Sequence, residues 1–342
     1  MIEPKNILIV RTDRIGDVVL TLPLAGIIKK HYPNCKVTFL VNEYTREIAE
    51  SNKLIDEVLS LKLRENKINF SSNLEEIKKR NFDSTIIVYP KFSIALLIFF
   101  SGIKKRIASG YRWYSFLFSE KVFEHRKIAE RHELEYNVNL LKQIGINETV
   151  NPSAVNFNLD VNQNSLTKVI SLLVQSGINE NEELIIIHPG SGGSSIDLPL
   201  NRLKELVQKL VNLENVSIIV TGSQSEIEIC DQVSPDNKTH NFAGKLSVSE
   251  LTALISLSKI FISNSTGPIH IAAALDIFIV GFYPKILACS AKRWGPYNKK
   301  HIIFEPIIDC NNCTVEQCHK LDCMNSIDVG RVFEQVRAQL KN

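Results

Sequence analysis

The feature of this sequence that most constrains its fold is the alternation of short β-branched runs with helical patterns along the chain. Residues 7–10 and 36–41 are typical of buried strands, and a helical pattern runs between them from residue 17 to about residue 30. Parallel neighbouring strands need a long connection, usually a helix, so this alternation predicts parallel sheets covered by helices. The predicted fold class is therefore α/β.

A long helix is predicted to end at Gly145. The strand–helix pattern restarts after residues 147–158, a stretch that is rich in Asn and lacks helical periodicity, with a strand predicted at residues 216–220 and a last helix at residues 329–340. A chain of 342 residues exceeds what one hydrophobic core usually serves. We therefore predict two α/β domains, residues 1–155 and residues 156–342. Ligands are expected in the cleft beyond the carboxyl ends of the strands.

Composition and charge narrow the classes of partner. The chain is 44% hydrophobic and 23% charged with a net charge of +3, which is typical of a soluble globular protein and too mild for a nucleic-acid partner. No signal peptide is visible, and the longest apolar run, residues 94–100, is far shorter than the roughly 18 residues that a membrane span needs. We therefore expect a cytoplasmic protein.

Basic residues concentrate between residues 104 and 132, around the aromatic stretch at residues 111–118 that includes Arg112. Cationic and aromatic side chains together favour contact with a membrane face or a phosphorylated lipid. A solvated basic surface next to a core helix would give the same pattern. The sequence leaves both interpretations open.

The most informative motif is the segment at residues 262–275. A buried strand ends there, and Ser265, Thr266 and Gly267 precede a helix that carries His270 in its first turns. Free amides at a helix start, hydroxyl groups and an imidazole all suit a phosphate or a sugar. An ordinary helix capped by Ser or Thr is the alternative.

A second loop of this kind spans residues 188–195 and contains Ser191 and Gly192. Its glycines would let a diphosphate approach the backbone closely. The loop is neither a Walker motif nor a dinucleotide-binding fingerprint. It gains weight because it lies in the same half as the Thr266 segment.

The third motif lies at residues 10–19, where the first strand ends and a helix begins. Asp17 could accept a proton from an acceptor hydroxyl, whereas Arg11 and Arg14 could contact anions. Asp17 would also suit a plain helix cap. The motif alone does not separate these two roles.

Together the three motifs resemble glycosyltransferase family nine, the ADP-heptose:lipopolysaccharide heptosyltransferases. The resemblance implies a GT-B architecture, with two Rossmann-like domains whose parallel sheets face a central cleft, and an inverting transfer that needs no metal cofactor. It further implies an acceptor domain followed by a donor domain, with the last helix packing back on the first. The expected partners are a nucleotide-sugar donor of the ADP-heptose kind and a lipid-linked glycan acceptor at the inner-membrane face.

By this resemblance Asp17 matches the catalytic base. Donor contacts are expected at Ser191, Gly192, Gln224, Glu226, Leu246, Ser265, Thr266, Gly267 and His270, and acceptor contacts at Arg11, Arg14 and Arg112. The sequence itself contains no Asp-x-Asp pair that could ligate Mg²⁺ at a diphosphate. Two positions depart from the family: Ile196 replaces a frequent cation, and Ser265 replaces a frequent Asp.

Four cysteines near the C-terminus, Cys310, Cys313, Cys318 and Cys323, are close enough in sequence to hold a structural zinc ion. Their spacing is not that of a common zinc ribbon, so reduced thiols or a local disulfide are the alternatives.

Two other functions fit the same architecture. They are a sugar-nucleotide enzyme without transfer, such as an epimerase, and a silent nucleotide-sugar-binding protein.

Overall fold

The computed structural model describes residues 3–234, 238–308 and 313–341. The chain divides into two compact units. The first comprises Met1–Arg126 and Glu133–Asp160, and the second comprises Lys127–His132 and Val161–Asn342. Each unit contains a parallel sheet of six strands.

The first unit alternates strands and helices. Its strands are β1 (Asn6–Arg11), β2 (Lys36–Val41), β3 (Glu57–Ser60), β4 (Leu63–Arg64), β5 (Lys67–Ile68), β6 (Ser84–Ile87), β7 (Lys105–Ser109) and β8 (Glu120–Val122). Its α-helices are α1 (Ile15–Val19), α2 (Pro23–His31), α3 (Arg46–Glu50), α4 (Phe70–Lys78), α5 (Phe92–Phe100) and α6 (Glu133–Asn139). The sheet order is β3-β2-β1-β6-β7-β8, and β4 and β5 form a separate antiparallel pair.

The second unit repeats this plan. Its strands are β9 (Glu183–His188), β10 (Val216–Val220), β11 (Thr239–Asn241), β12 (Ile260–Asn264), β13 (Phe278–Phe282) and β14 (His301–Phe304). Its α-helices are α7 (Gln163–Gln175), α8 (Leu200–Leu210), α9 (Ile227–Val233), α10 (Val248–Ser256), α11 (Gly267–Ala274), α12 (Ala291–Trp294), α13 (Val315–Lys320) and α14 (Val329–Leu340). The sheet order is β11-β10-β9-β12-β13-β14.

In each unit the first strand of the sheet lies in the middle. The next strands in the chain are added on one side of it, and the later strands are added on the other side. In the first unit β1 pairs with β2 on one side and β6 on the other, and in the second unit β9 pairs with β10 and β12. Loops that leave the carboxyl ends of the two strands at such a reversal point diverge and open a crevice. Ligand sites are therefore expected at the loops after β1 and β6 in the first unit, and at the loops after β9 and β12 in the second unit.

The cores form as the hydrophobic patterns predict. Residues 7–11 of β1 are fully buried, and α8 turns Leu203, Leu206, Val207 and Leu210 inward. The last helix, α14, packs on α8 and contributes Val332 and Val336 to the core of the second unit. No helix among the described residues is long and apolar enough to cross a bilayer.

Two predicted helices differ from the structure. The helix expected over residues 17–30 is two helices, α1 and α2, because Pro23 begins the second one. The helix expected to end at Gly145 is α6 followed by a 3-10 helix, Leu140–Ile144, and Gly145 ends it with a φ of 89°. Seven strands were not predicted, because they are short and partly exposed: β3, β4, β5, β7, β8, β11 and β14.

Candidate active site

Two of the predicted loops lie side by side in the second unit, because the strands that precede them are neighbours. Ser263 on β12 pairs in register with His188 on β9. Asn264 then joins both loops through its amide. Its Nδ2 donates to the carbonyl of Pro189 at 2.5 Å, and its Oδ1 accepts from the backbone N–H of Leu198 at 2.8 Å.

A hydroxyl group adds a further link between these loops. Ser194 Oγ donates to the carbonyl of Ser265 at 2.9 Å. Residues 189–198 and 264–267 therefore form one surface at the reversal point of the sheet. Ser191, Ser265 and Thr266 lie in it, each at least nine-tenths buried.

Helix α11 begins in this surface without a side-chain cap. Thr266 is its N-cap residue, yet the hydroxyl makes no capping hydrogen bond. Pro268 occupies one of the first two helical positions, where a missing N–H donor causes no loss. The first-turn amides thus remain as donors at the positive end of the helix dipole, as an anion site requires.

His270 is buried in the first turns of α11, with 4% of its surface exposed. Its Nδ1 has no hydrogen-bond partner among the described residues. Burial, with a smaller effect from His132, lowers the pKa of His270 from 6.5 to about 3. The ring is therefore neutral and carries an unsatisfied polar nitrogen, which is costly unless a ligand meets it.

His132 is a neighbouring group whose role the sequence does not predict. It belongs to the second unit, although the residues that follow it in the chain, Glu133–Asp160, belong to the first unit. Its Nε2 donates to the carbonyl of Gly295 at 2.9 Å, and its ring lies 4.5 Å from that of Tyr297. Only the tertiary structure brings it near α11.

Glu226 joins the loop after β10 to the loop at residues 188–195 after β9, which we call the glycine loop. Its Oε2 accepts from the backbone N–H and the hydroxyl of Ser223, at 2.8 and 2.7 Å. Burial alone would raise the pKa of Glu226, but these bonds, the attraction of His188 and a bond from the Gly192 backbone lower it. A Cβ at Gly190 would lie 1.9 Å from Glu226 Oε1, so a larger residue there would displace the Glu226 carboxylate.

Two more titratable groups support this loop. His188 Nδ1 lies 3.0 Å from Thr221 Oγ1, and burial lowers the pKa of His188 to about 4. Asp197 Oδ2 accepts from the backbone N–H of Ser191 at 3.3 Å, and burial raises the pKa of Asp197 to about 6. Asp197 was not predicted as a site residue, because its position just before the Leu198-Pro199 pair gives no signal in the sequence.

The other predicted donor residues lie in adjacent loops. A Cβ at Gly244, whose φ is +70°, would lie 2.4 Å from Gln224 Oε1. Gly244 N donates to the Gly222 carbonyl at 2.9 Å, which aligns the loops after β10 and β11. Leu246 is partly exposed in the turn that follows.

In the first unit the predicted motif at residues 10–19 is organised by Arg11, the last residue of β1, which is 1% exposed. Its Nε donates to Asp13 Oδ1 at 2.8 Å, its Nη2 donates to Asp17 Oδ1, and its Nη1 lies 3.7 Å from Glu133 Oε1. Burial alone would lower the pKa of Arg11, but Asp17, Asp13 and Glu133 raise it above its usual value. Arg11 therefore remains charged.

Asp17 lies in the first turn of α1, whose N-cap residue is Arg14. Its side chain is 15% exposed and its carboxylate faces Arg11, so it is both held and accessible. Burial raises the pKa of Asp13 to about 6, with Arg11 opposing and Asp17 adding to the effect. Glu133 also pairs with Arg126.

The three predicted acceptor residues have different surroundings in the structure. Arg11 was predicted as an anion contact, but its guanidinium is surrounded by carboxylates, whereas Arg14 and Arg112 are exposed.

A cavity of about 370 Å³ lies between the glycine loop and the C-terminal segment in the second unit. Its lining includes Ile196, Asp197 and His319.

The zinc hypothesis receives no support from the structure. Cys310 lies outside the described residues. Cys318 and Cys323 are buried in the apolar core of the second unit, and Cys313 packs against it. No group of three His, Cys, Asp or Glu side chains in the described part of the chain could hold a metal ion.

The chain is similar in sequence to known glycosyltransferases. The model of glycosyltransferase family 9 (heptosyltransferase) matches residues 72–323. A Haemophilus influenzae protein named as a glycosyltransferase is 28% identical over 312 residues, which cover 88% of this chain and 89% of that protein. Lipopolysaccharide heptosyltransferase 3 of Escherichia coli is 21% identical over 84% of this chain and 85% of its own.

Solved structures share the fold. A family 9 glycosyl transferase of Veillonella parvula superposes with a TM-score of 0.82 at 20% identity, covering 99% of this chain and 97% of its own. E. coli ADP-heptose LPS heptosyltransferase II gives 0.81 at 18% identity, with 98% of both chains covered. E. coli heptosyltransferase WaaC with ADP gives 0.75 at 16% identity, covering 98% and 99%.

The predicted α/β fold class of the GT-B type is thus confirmed. Because the family model matches most of its length, this chain belongs to glycosyltransferase family 9 and is a glycosyltransferase.

Proposed function

We propose that this enzyme moves a sugar from a nucleoside-diphosphate donor of the ADP-heptose kind to a lipopolysaccharide-core or other glycan acceptor, with inversion at the anomeric carbon. The observation that carries the proposal is the buried, neutral His270, whose unpartnered Nδ1 lies beside the uncapped start of α11. The names of the relatives, among them lipopolysaccharide heptosyltransferases, support the donor and acceptor class. The related fold solved with ADP supports the nucleotide.

The donor diphosphate is held by neutral groups. Residues 188–199 and 264–270 contain no Lys or Arg, so the phosphates meet backbone amides, hydroxyls and the helix dipole. Gly192 and Gly267 let the backbone approach. Ser191, Ser265 and Thr266 supply hydroxyls, and His270 meets a phosphate or sugar oxygen.

The nucleoside occupies the neighbouring loops. Gln224 and Glu226 lie on the ribose side, and Leu246 packs on the base. Glu226 is engaged with Ser223, so its first contribution is to fix the loop that faces the ribose. This division gives each predicted donor residue a distinct contact.

Asp17 serves as the base for the acceptor. The acceptor oxygen bonds to the anomeric carbon, its proton passes to the Asp17 carboxylate, and the bond from that carbon to the diphosphate oxygen breaks. Amides and His270 stabilise the charge that develops on the leaving nucleoside diphosphate. Arg14 and Arg112 provide exposed cations for an anionic acceptor, and the reaction takes place in the cytoplasm.

A donor panel tests the proposal. Thermal shifts with ADP, UDP and GDP are compared, and transfer from ADP-heptose is then measured with a lipopolysaccharide-core acceptor. We expect stabilisation by ADP above the others. Stabilisation by UDP or GDP equal to that by ADP would contradict the donor class.

A matched pair of histidine variants tests the observation itself. His270→Phe should weaken donor binding and transfer, because it removes the buried nitrogen. His301→Phe, at a partly exposed histidine that begins the edge strand β14 of the same unit, should leave both unchanged. Equal donor binding and transfer by the two variants would overturn the assignment of His270.

A further inference from the structure

Helix α5 presents an apolar face to solvent. Its sequence, FSIALLIFF, contains no charged residue. The inward side packs in the core of the first unit through Ile94, Ala95, Leu97 and Ile98. On the outward side Phe92, Phe99 and Phe100 are 42%, 42% and 52% exposed. A surface helix normally turns polar residues outward, so folding does not explain this side of α5.

The loop at residues 111–118 continues the same surface. Trp113 is 74% exposed, and its ring stacks on that of Phe92 with 5.0 Å between centroids. Phe116 is 66% exposed. Tyr114 is buried beneath them and donates to the Pro90 carbonyl at 2.7 Å, which anchors the loop. We call Phe92, Phe99, Phe100, Trp113 and Phe116 the aromatic face.

The stretch of chain that carries the aromatic face has charge of one sign. No acidic residue occurs between Asp83 and Glu120. The same stretch contains the cations Lys91, Lys104, Lys105, Arg106 and Arg112. The Arg106 guanidinium lies over the Phe99 ring at 5.4 Å from its centroid. Exposed aromatic rings mixed with unopposed cations are the composition that an anionic lipid interface selects.

We propose that the aromatic face docks on an anionic lipid surface, with Trp113 and Phe116 inserted at headgroup level and the surrounding cations facing lipid phosphates. A second copy of the chain fits less well, because two such faces would oppose cations with cations. The docking does not depend on the sugar donor. It rests on the proposed function in one respect only, which is that docking brings the enzyme to its lipid-linked acceptor.

Vesicle binding tests the docking. The full chain is mixed with vesicles of phosphatidylcholine alone or with one-third phosphatidylglycerol, and the bound fraction is measured by sedimentation. We expect binding to the anionic vesicles that weakens with salt, together with a blue shift of tryptophan emission. Trp113→Ser with Phe116→Ser should weaken binding at least tenfold. Val174→Ser, a 68% exposed apolar residue on α7, should not.

A second pair of variants tests the charge. Lys104→Gln with Lys105→Gln should weaken binding by more than tenfold at low salt, since each cation near an anionic surface contributes about fivefold. Lys142→Gln, at an exposed lysine elsewhere in the first unit, is the control.

Three results would overturn the docking: equal binding to both vesicle types, unchanged binding by the aromatic variant, or a dimer in solution that this variant dissociates. Transfer to a short water-soluble acceptor separates the docking from the enzymatic proposal. The Trp113→Ser, Phe116→Ser variant should retain that transfer while losing vesicle binding. A wild-type chain that binds vesicles but transfers nothing would leave the docking intact and contradict the proposed function.

Discussion

Replacing Arg11 with methionine tests whether one buried guanidinium holds the carboxylates of the first unit in place. The change keeps the approximate length of the side chain and removes its charge. Arg11 is 1% exposed and faces Asp13, Asp17 and Glu133. Removing one partner from a buried ion pair typically costs about 3–5 kcal/mol, because the remaining charges stay buried. In a unit of this size, that corresponds to a fall in Tm of roughly 10 °C.

The loss should depend on pH with a definite sign. The pKa of Asp13 is raised from 3.8 to about 6, because burial outweighs the attraction of Arg11. Without Arg11 this pKa rises further. A carboxyl whose pKa is higher in the folded state destabilises the fold above that pKa, and the penalty disappears as the pH falls towards the unfolded value. The deficit of Arg11→Met should therefore be larger at pH 8 than at pH 5.

Calorimetry of the variant and the wild type at both pH values measures this difference. Arg46→Met is the matched control, because the Arg46–Glu50 pair is 43% and 47% exposed and such pairs stabilise little. An Arg11→Met loss that is equal at pH 5 and pH 8, or no larger than that of Arg46→Met, would refute the reasoning.

Further predictions concern the second unit and the metal requirement. Gly190→Ala should displace Glu226, which lies 1.9 Å from the new Cβ position, and weaken ADP binding at least tenfold by calorimetric titration, whereas Gly330→Ala should not. His270→Phe should lower kcat by roughly 10²-fold, the typical loss for one donor to a developing charge. Because the pKa of His270 is lowered to about 3, wild-type rate profiles between pH 6 and pH 8 should show no step from it. Addition of EDTA should leave the initial rate of transfer within twofold, since no Asp-x-Asp pair is present to bridge a metal to the diphosphate; a rate that falls and returns with Mg²⁺ would contradict this.

The sequence predicts the central strands better than the edges. Residues 36–41, 216–220 and 329–340 form the predicted elements with the predicted bounds. The two strands are nearly continuous runs of buried residues, and the helix buries Val329, Val332 and Val336 at helical spacing. Strands β8 and β11 at the sheet edges have three residues each and no fully buried position. Such strands depend on pairing with a neighbour and not on a local pattern.

Sequence motifs find side chains at loop starts but not their partners. The Thr266 and Ser191 loops could be predicted because Gly, Ser and Pro after a strand have a local meaning. The placement of Arg11 among Asp13, Asp17 and Glu133 could not, since Glu133 is more than a hundred residues away in the chain. The contact of His132 with Gly295, which is also more than a hundred residues away, was missed for the same reason.

The central claim, that Asp17 takes the acceptor proton while the second unit holds the donor, is tested most directly by Asp17→Asn. Turnover is measured with donor and acceptor, and ADP affinity is measured by calorimetric titration. We expect kcat to fall by about 10²–10⁴-fold, as for loss of a general base, while the Kd for ADP stays within twofold. Turnover near the wild-type rate, or an equal loss of ADP affinity, would contradict it.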